Sequence, residues 1–363
     1  MNQPISEAYL ENQKSRKAFL LMLAGMVFVL LLSVVLSMSF GSMKIAPSHT
    51  YAILLEKLFG IQTGGSLTGR LSEVNIIWEI RFPRVLLGAA VGAGLSLCGM
   101  AMQAAVQNPL AEPYILGISS GASLGATFSI MLGIGSLSWL SVSASSFWGF
   151  AGALGAAFCV LMLASMGSKM TSSKLVLSGT VINALCNALS NFIIFMAGDA
   201  QGMQSVKFWT MGSLAGAKWQ NIAFPVVLTA VCLIGFLFQY RTLNTLLLGD
   251  EAAVTLGIPV ARYRRIYMVA ASLLTGVLVA YCGIIGFVGL IIPHITRAVV
   301  GADHRRLTPL CTMGGAVFMI WADTFARIAV PNSELPIGIV TALIGAPFFV
   351  YILIRKSYSF REG

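Results

Sequence analysis

Residues 175–197 read LVLSGTVINALCNALSNFIIFMA, a run with no charged side chain. A helix needs about 20 apolar residues to cross a hydrocarbon core of about 30 Å, so this segment is long enough to span a bilayer. It carries one irregularity. Asn183, Asn187 and Asn191 recur at i, i+4 and i+8 and share one helical face. An amide facing lipid is costly, so this face meets protein or water. Hydrogen bonding between helices and the wall of a polar path both satisfy that requirement.

Outward from this segment, nine further stretches have the same character: 17–39, 84–106, 115–134, 144–166, 222–240, 264–282, 284–300, 308–330 and 336–354. The seventh and eighth of the ten, 264–282 and 284–300, are divided only around Gly283. The predicted fold class is therefore an all-α integral membrane protein with ten transmembrane helices in one domain over 1–363. Composition agrees: 10% of residues are charged, against about a quarter in soluble domains. With 57% hydrophobic residues and a mean hydropathy of +0.85, a soluble enzyme, a disordered scaffold and a soluble nucleic-acid module are excluded. The first segment is too long for a signal core, and Ser37-Met38-Ser39-Phe40 lacks a small-x-small cleavage site, so it reads as an uncleaved span.

Lys and Arg outnumber Asp and Glu by 23 to 13. Placing both termini in the cytoplasm puts 15 of the 23 inside, as positive-inside topology requires. The exceptions include Arg81, Arg84 and Arg327, at or near the outer ends of their spans. Small residues that let helices approach recur at i, i+4: Gly88 and Gly92 on the second span, Gly117, Gly121 and Gly125 on the third.

Chemistry is sparse. Asp323 is the only carboxylate deep in a span, with Arg327 four residues on along the same face. Ion-coupled carriers usually need more intramembrane carboxylates or broken-helix ion sites. No G-x-x-x-x-G-K-[ST] phosphate loop is present. The six cysteines fall within spans without C-x-x-C spacing and the three histidines are scattered, so no metal site, catalytic group or bound cofactor is predicted. A power source for uphill transport must then be another chain.

The loop 241–265 suits such a partner. Asp250 and Glu251 favour a helix N-terminus, Gly257 a C′ position, and Pro259 a stop. The short helix so defined is framed by Arg241, Arg262, Arg264 and Arg265. Such a helix is marginal alone. It rests in a groove of another protein or lies against lipid headgroups.

In order and spacing, several segments resemble the iron-chelate (FecCD-type) permease family. They are Arg81-Phe82-Pro83-Arg84, Gln103 through Asn108-Pro109-Leu110-Ala111 to Gly117, Glu251-Ala252-Ala253 to Gly257, Gly283 through Pro293-His294, Ala322-Asp323 to Ala326-Arg327, and Glu334-Leu335-Pro336 through Gly345-Ala346-Pro347. The resemblance runs from about residue 78 onward; the first 75 residues carry no such signature.

The resemblance implies a transport subunit rather than an enzyme. It would be a bacterial cytoplasmic-membrane permease that works as a dimer, with a second copy or a paralogue. Two cytoplasmic ATPases would hold the ATP and Mg, an extracytoplasmic binding protein would deliver the cargo, lipid would surround the spans, and no nucleic acid is involved. It further implies that Asp250, Glu251, Ala252, Ala253 and Gly257 form the ATPase coupling segment, and that Arg81, Arg84 and Arg327 receive carboxylates of the binding protein. Asp323 pairing with Arg327 to hold the ninth span is the other reading of that arginine, and both can hold. Asn183, Asn187 and Asn191 fall on the translocation path, and Thr171, Ser172 and Ser173 where the cytoplasmic gate narrows. The expected cargo is an iron–siderophore complex, with haem or cobalamin as alternatives within the family and an ATP-independent carrier as the alternative from another class.

Overall fold

The computed structural model describes residues 5–41, 43–61, 71–134, 143–166 and 170–355. In chain order the helices are α1 (Ile5–Ser39), α2 (Pro47–Phe59), α3 (Leu71–Asn75), α4 (Phe82–Val106), α5 (Ile118–Met131), α6 (Ala144–Ser165), α7 (Ser172–Ala197), α8 (Ala200–Met211), α9 (Trp219–Phe238), α10 (Tyr240–Leu246), α11 (Asp250–Thr255), α12 (Val260–Cys282), α13 (Val288–Val300), α14 (His304–Ile328) and α15 (Ile337–Arg355). A π-helical turn, Ile76–Arg81, joins α3 to α4, and a 3₁₀ turn, Pro113–Leu116, leads into α5. Among the described residues the only strand-like pairing is an isolated bridge between Val330 and Ser333.

Among the described residues, seven stretches are long and apolar enough to cross a membrane: Arg16–Ser39, Leu71–Val106, Ala144–Ser165, Ser172–Ala197, Trp219–Phe238, Val260–Cys282 and His304–Ile328. Two of the expected spans are cut shorter. Segment 115–134 is α-helical only over the 14 residues of α5, and 284–300 only over the 13 residues of α13. At 1.5 Å per residue each rises only about 20 Å. Apolar composition continues past the helix ends there, but Gly117 and Phe287 adopt left-handed backbone and stop the helices. The last expected span, 336–354, is matched in extent by α15, Ile337–Arg355.

The architecture is organised around α4. Pro83 sits in its first turn, where the missing N–H is no loss. Apart from Arg84 and Gln103, the side chains of α4 are apolar or small all the way round, and nearly all of the helix is buried. Helices α9, α10, α12, α13 and α14 pack around it. Glycines set the distance: Gly92 meets the backbone of Gly315 on α14, and Gly99 that of Gly289 on α13. The α5–α6 pair uses the same device, with Gly121 against Gly152 and Gly125 against the Trp148 carbonyl. The small-residue spacing noted in the sequence thus lies at helix contacts.

The periphery is apolar and open. Leu21, Phe28 and Leu31 on α1, and Phe192 and Phe195 on α7, are largely exposed, as side chains facing lipid or another subunit would be. A satellite cluster of Met38, Ile45, Ile53, Ile77, Phe82 and Ile320 fastens the end of α1 and α2 onto α4 and α14. Most of the polar tract at 60–69 lies outside the described residues.

Candidate functional site

Two polar constellations sit at opposite ends of α4. The first gathers around its N-terminus. The π-helical turn before Phe82 widens the backbone, a feature frequent at functional sites. The freed Trp78 carbonyl accepts a hydrogen bond from Trp219 Nε1 at 2.8 Å, and the Trp78, Phe82 and Trp219 rings cluster with centroids 5.0–5.5 Å apart. That turn delivers Arg81 and Arg84 into the protein. Arg84 Nε donates to both Asp323 oxygens at 2.9 and 3.1 Å, and its Nη1 to both Glu334 oxygens at 2.9 and 3.0 Å. Asp323 also lies 3.1 Å from Arg327 Nε, one helical turn along α14. The Arg327 Nη atoms donate to the Phe40 and Ser37 carbonyls at 3.1 Å each. Arg81 donates to the carbonyls of Met38 and Met43.

All three arginines line one pocket of about 200 Å³, with Gly41, Met43 and Glu334 on its walls. The sequence expectation placed them together, and the structure does so. They are, however, buried rather than projecting, at 6–8% exposure, and each is bonded within the chain. The pairing of Asp323 with Arg327 therefore holds, extended by Arg84. Three guanidiniums face two carboxylates, which leaves one positive charge in surplus, and Arg81 is bonded to carbonyls only. Glu334 was not singled out as a site residue; its side chain is half exposed at the pocket rim.

The second constellation gathers around the C-terminus of α4. Here α11 starts at Asp250 and ends in a Schellman motif. Gly257, at φ +81°, donates to the Val254 carbonyl at 2.9 Å, and Ile258 donates to Ala253 at 2.9 Å. Ala253 is buried and Ala252 half-buried, while Glu251 is exposed. Leu248, Val254 and Leu256 are 62–65% exposed, so this short helix presents an apolar edge to whatever lies beyond it. Asp250 Oδ1 accepts from Gln107 Nε2 at 2.6 Å and from Arg264 Nη2 at 2.9 Å. A groove of about 800 Å³ separates α11 from the segment entering α7.

That segment holds Thr171, Ser172 and Ser173. Thr171 caps α7, its Oγ1 accepting from the Lys174 N–H at 3.3 Å, and Ser172 Oγ donates to the Val106 carbonyl at 2.6 Å. Ser173 is exposed. The candidate gate thus adjoins the end of α4 and shares a groove with α11. Residues 167–169 lie outside the described residues.

Asn183, Asn187 and Asn191 all lie on an exposed face of α7. Asn187 Nδ2 donates to Asn183 Oδ1 at 3.0 Å. The stripe stands among exposed Leu177, Leu185 and Phe192, so its amides are left for water or for another chain. Sequence reasoning missed Gln107 and the fork of Arg264, because neither spacing nor hydropathy reports side-chain contacts such as those to residues 94–159 positions away.

Residues 29–355 match the FecCD transport family. The cobalamin import system permease protein BtuC of Halobacterium salinarum is 42% identical over 280 residues, covering 77% of this chain and 73% of that protein. The vitamin B12 import system permease protein BtuC of Klebsiella pneumoniae is 36% identical over 98% of this chain and 99% of its own length. Among solved structures, an inward-facing conformation of a transporter assigned to the metal-chelate type of ABC transporter superposes with a TM-score of 0.79 at 30% identity, covering 92% of this chain and 99% of that one.

Proposed function

The chain belongs to the FecCD transport family, and on that premise we propose that it is the membrane subunit of a binding-protein-dependent importer whose cargo is a cobalt corrinoid. It works as a dimer of ten-span subunits with cytoplasmic termini, bound to two separate ATPases. The chain is a multi-pass membrane permease of an ABC importer, and ATP hydrolysis belongs to the partner subunit.

One observation carries the reading. A single buried helix, α4, has the arginine pocket at one end and the α11 segment at the other. Its 25 residues rise about 37 Å, the depth of a membrane. An importer subunit must receive a loaded carrier on one face and an ATPase on the other. The pocket's surplus positive charge suits a carboxylate of the binding protein, held by bidentate guanidinium geometry. The exposed apolar edge of α11 suits an ATPase groove. Closure of the ATPases on ATP stabilises one gate state over the other, which is the only way a ligand can drive the change. The asparagine amides of two facing subunits then line a neutral, weakly binding path, and the segment 171–173 narrows its inner mouth.

The named function of the two relatives supports a corrinoid over an iron–siderophore complex, the cargo first expected from the sequence. Uptake by the complex reconstituted with its ATPase and binding protein separates them. With radiolabelled cyanocobalamin, ferric siderophores and haem offered in turn, ATP-dependent accumulation of cyanocobalamin alone is expected. Accumulation of a ferric siderophore instead overturns the cargo assignment, and accumulation of any of them without ATPase overturns the importer.

A further inference from the structure

Arg264 lies in the first two turns of α12, and only 2% of its surface is exposed. Its guanidinium reaches three separate pieces of the chain. Nε donates to the Ala105 carbonyl at 2.7 Å, Nη1 to the Met170 carbonyl at 3.1 Å, and Nη2 to Asp250 Oδ1 at 2.9 Å. Ala105 is in the last turn of α4, whose terminal carbonyls have no partner within the helix. Met170 immediately precedes the cap of α7. Asp250 is the first residue of α11. One rigid cation therefore joins the spine of the fold, the entrance to α7 and the α11 segment.

The joint is specific to a guanidinium. A planar fork directs its N–H groups along fixed, divergent lines, whereas an ammonium is a point donor on a flexible stem. Burial makes each of the three bonds costly to leave unmade. Around the fork, the α11 segment has few other ties. Only Ala253 of its six residues is buried, and the groove beside it holds α11 apart from Thr171. Gln107, in left-handed backbone at φ +55° just after α4, adds a second bond to Asp250 but none to Met170.

From this geometry we infer that Arg264 is the positioning residue that makes the α11 segment and the α7 entrance move as one unit. A displacement of α11 imposed by an ATPase reaches residues 170–173 through Asp250, the guanidinium and the Met170 carbonyl. The inference rests on the reading of α11 as the ATPase contact, and the test keeps the two apart.

The complex is reconstituted with its ATPase, and spin labels are placed at Val254 and Thr171. Their separation is measured with and without ATP, together with ATPase co-purification and hydrolysis. With Arg264 intact, one narrow distance is expected in both nucleotide states. In Arg264→Lys, which keeps the charge and loses the fork, the distribution is expected to broaden and to change with ATP. The ATPase should still co-purify, and cargo moved per ATP should fall at least tenfold. An unchanged narrow distance in both states, or transport per ATP within twofold of wild type, overturns the role of Arg264. Asp250→Ala, at a half-exposed position that spares the core, cuts the same link from the other side and must uncouple likewise; wild-type coupling there also overturns it. Leu256→Asp tests the underlying reading alone: if the ATPase still binds that variant at full stoichiometry, α11 is not its contact.

Discussion

Gly99 of α4 and Gly289 of α13 meet backbone to backbone: a Cβ added to Gly99 would stand 1.8 Å from the Gly289 carbonyl oxygen. No flexible side chain is there to yield. Gly99→Ala is expected to force the helices apart and destabilise the protein by about 1–3 kcal/mol, the range for overpacked cores. Gly155 on α6 has nothing within 4 Å of its added Cβ, so Gly155→Ala should be neutral or slightly stabilising. Thermal unfolding in detergent separates the two, and equal melting temperatures would refute the close approach.

The two carboxylates of the arginine pocket should behave differently. Asp323 is buried between Arg84 and Arg327, so Asp323→Asn leaves Arg327 without its counter-charge and Arg84 with only the half-exposed Glu334. Breaking a buried pair in this way typically costs about 3–5 kcal/mol. Glu334 is half exposed, and Glu334→Gln should cost less than about 1 kcal/mol. Unfolding midpoints of the two variants test the ranking.

Glu334→Gln also raises the pocket's surplus from one positive charge to two. If the pocket receives a carboxylate of the binding protein, affinity for that protein should rise roughly threefold to tenfold at low salt, and the gain should shrink as salt screens it. Surface-immobilised binding assays at two ionic strengths measure this; weaker binding at low salt would count against docking there.

Asn187 makes its one side-chain bond to Asn183 on an exposed face. Asn187→Leu should therefore leave unfolding and ATPase assembly unchanged while slowing uptake several-fold. Normal uptake would make the stripe a packing feature between subunits.

Asp303 precedes α14 and caps it. Burial works to raise its carboxyl pKa, but the Asn244 amide, the Arg305 N–H and the nearby Arg306 charge outweigh it and hold the value below the ordinary one. The native state then binds fewer protons than the unfolded chain, so stability rises with pH across this window. The contribution is complete above the unfolded carboxylate value of about 4 and is lost as pH falls through the depressed native one. Asn is itself a good cap, so Asp303→Asn removes only the charge, less than about 1 kcal/mol at this exposed position. Melting curves of the two proteins should differ at pH 6, and the difference should shrink as the pH is lowered below about 4.

The parts of the fold that composition encodes were readable. Apolar run length identified the long spans, and the Asp250-Glu251 to Gly257 spacing identified α11 and its stop. The half-length helices α5 and α13 were not readable, because hydropathy continues through Gly117 and Phe287 while the backbone turns left-handed there. Arg81, Arg84 and Arg327 stood out as charges on the wrong side of a topology rule. That they bury and pair inward depends on Asp323, Glu334 and four backbone carbonyls of the 37–43 segment, partners that no local pattern announces.

The bond between Arg84 and Asp323 also constrains how the chain is made, since the two residues are 239 positions apart. At translation rates of about 5–20 residues per second, Arg84 leaves the ribosome roughly 12–48 s before its counter-ion exists. For that interval the nascent α4 is a membrane helix with an uncompensated cation at one end and no partner to hold it in the bilayer. Insertion of α4 is therefore provisional until α14 arrives. A chain terminated before residue 323 never supplies that counter-ion to Arg84.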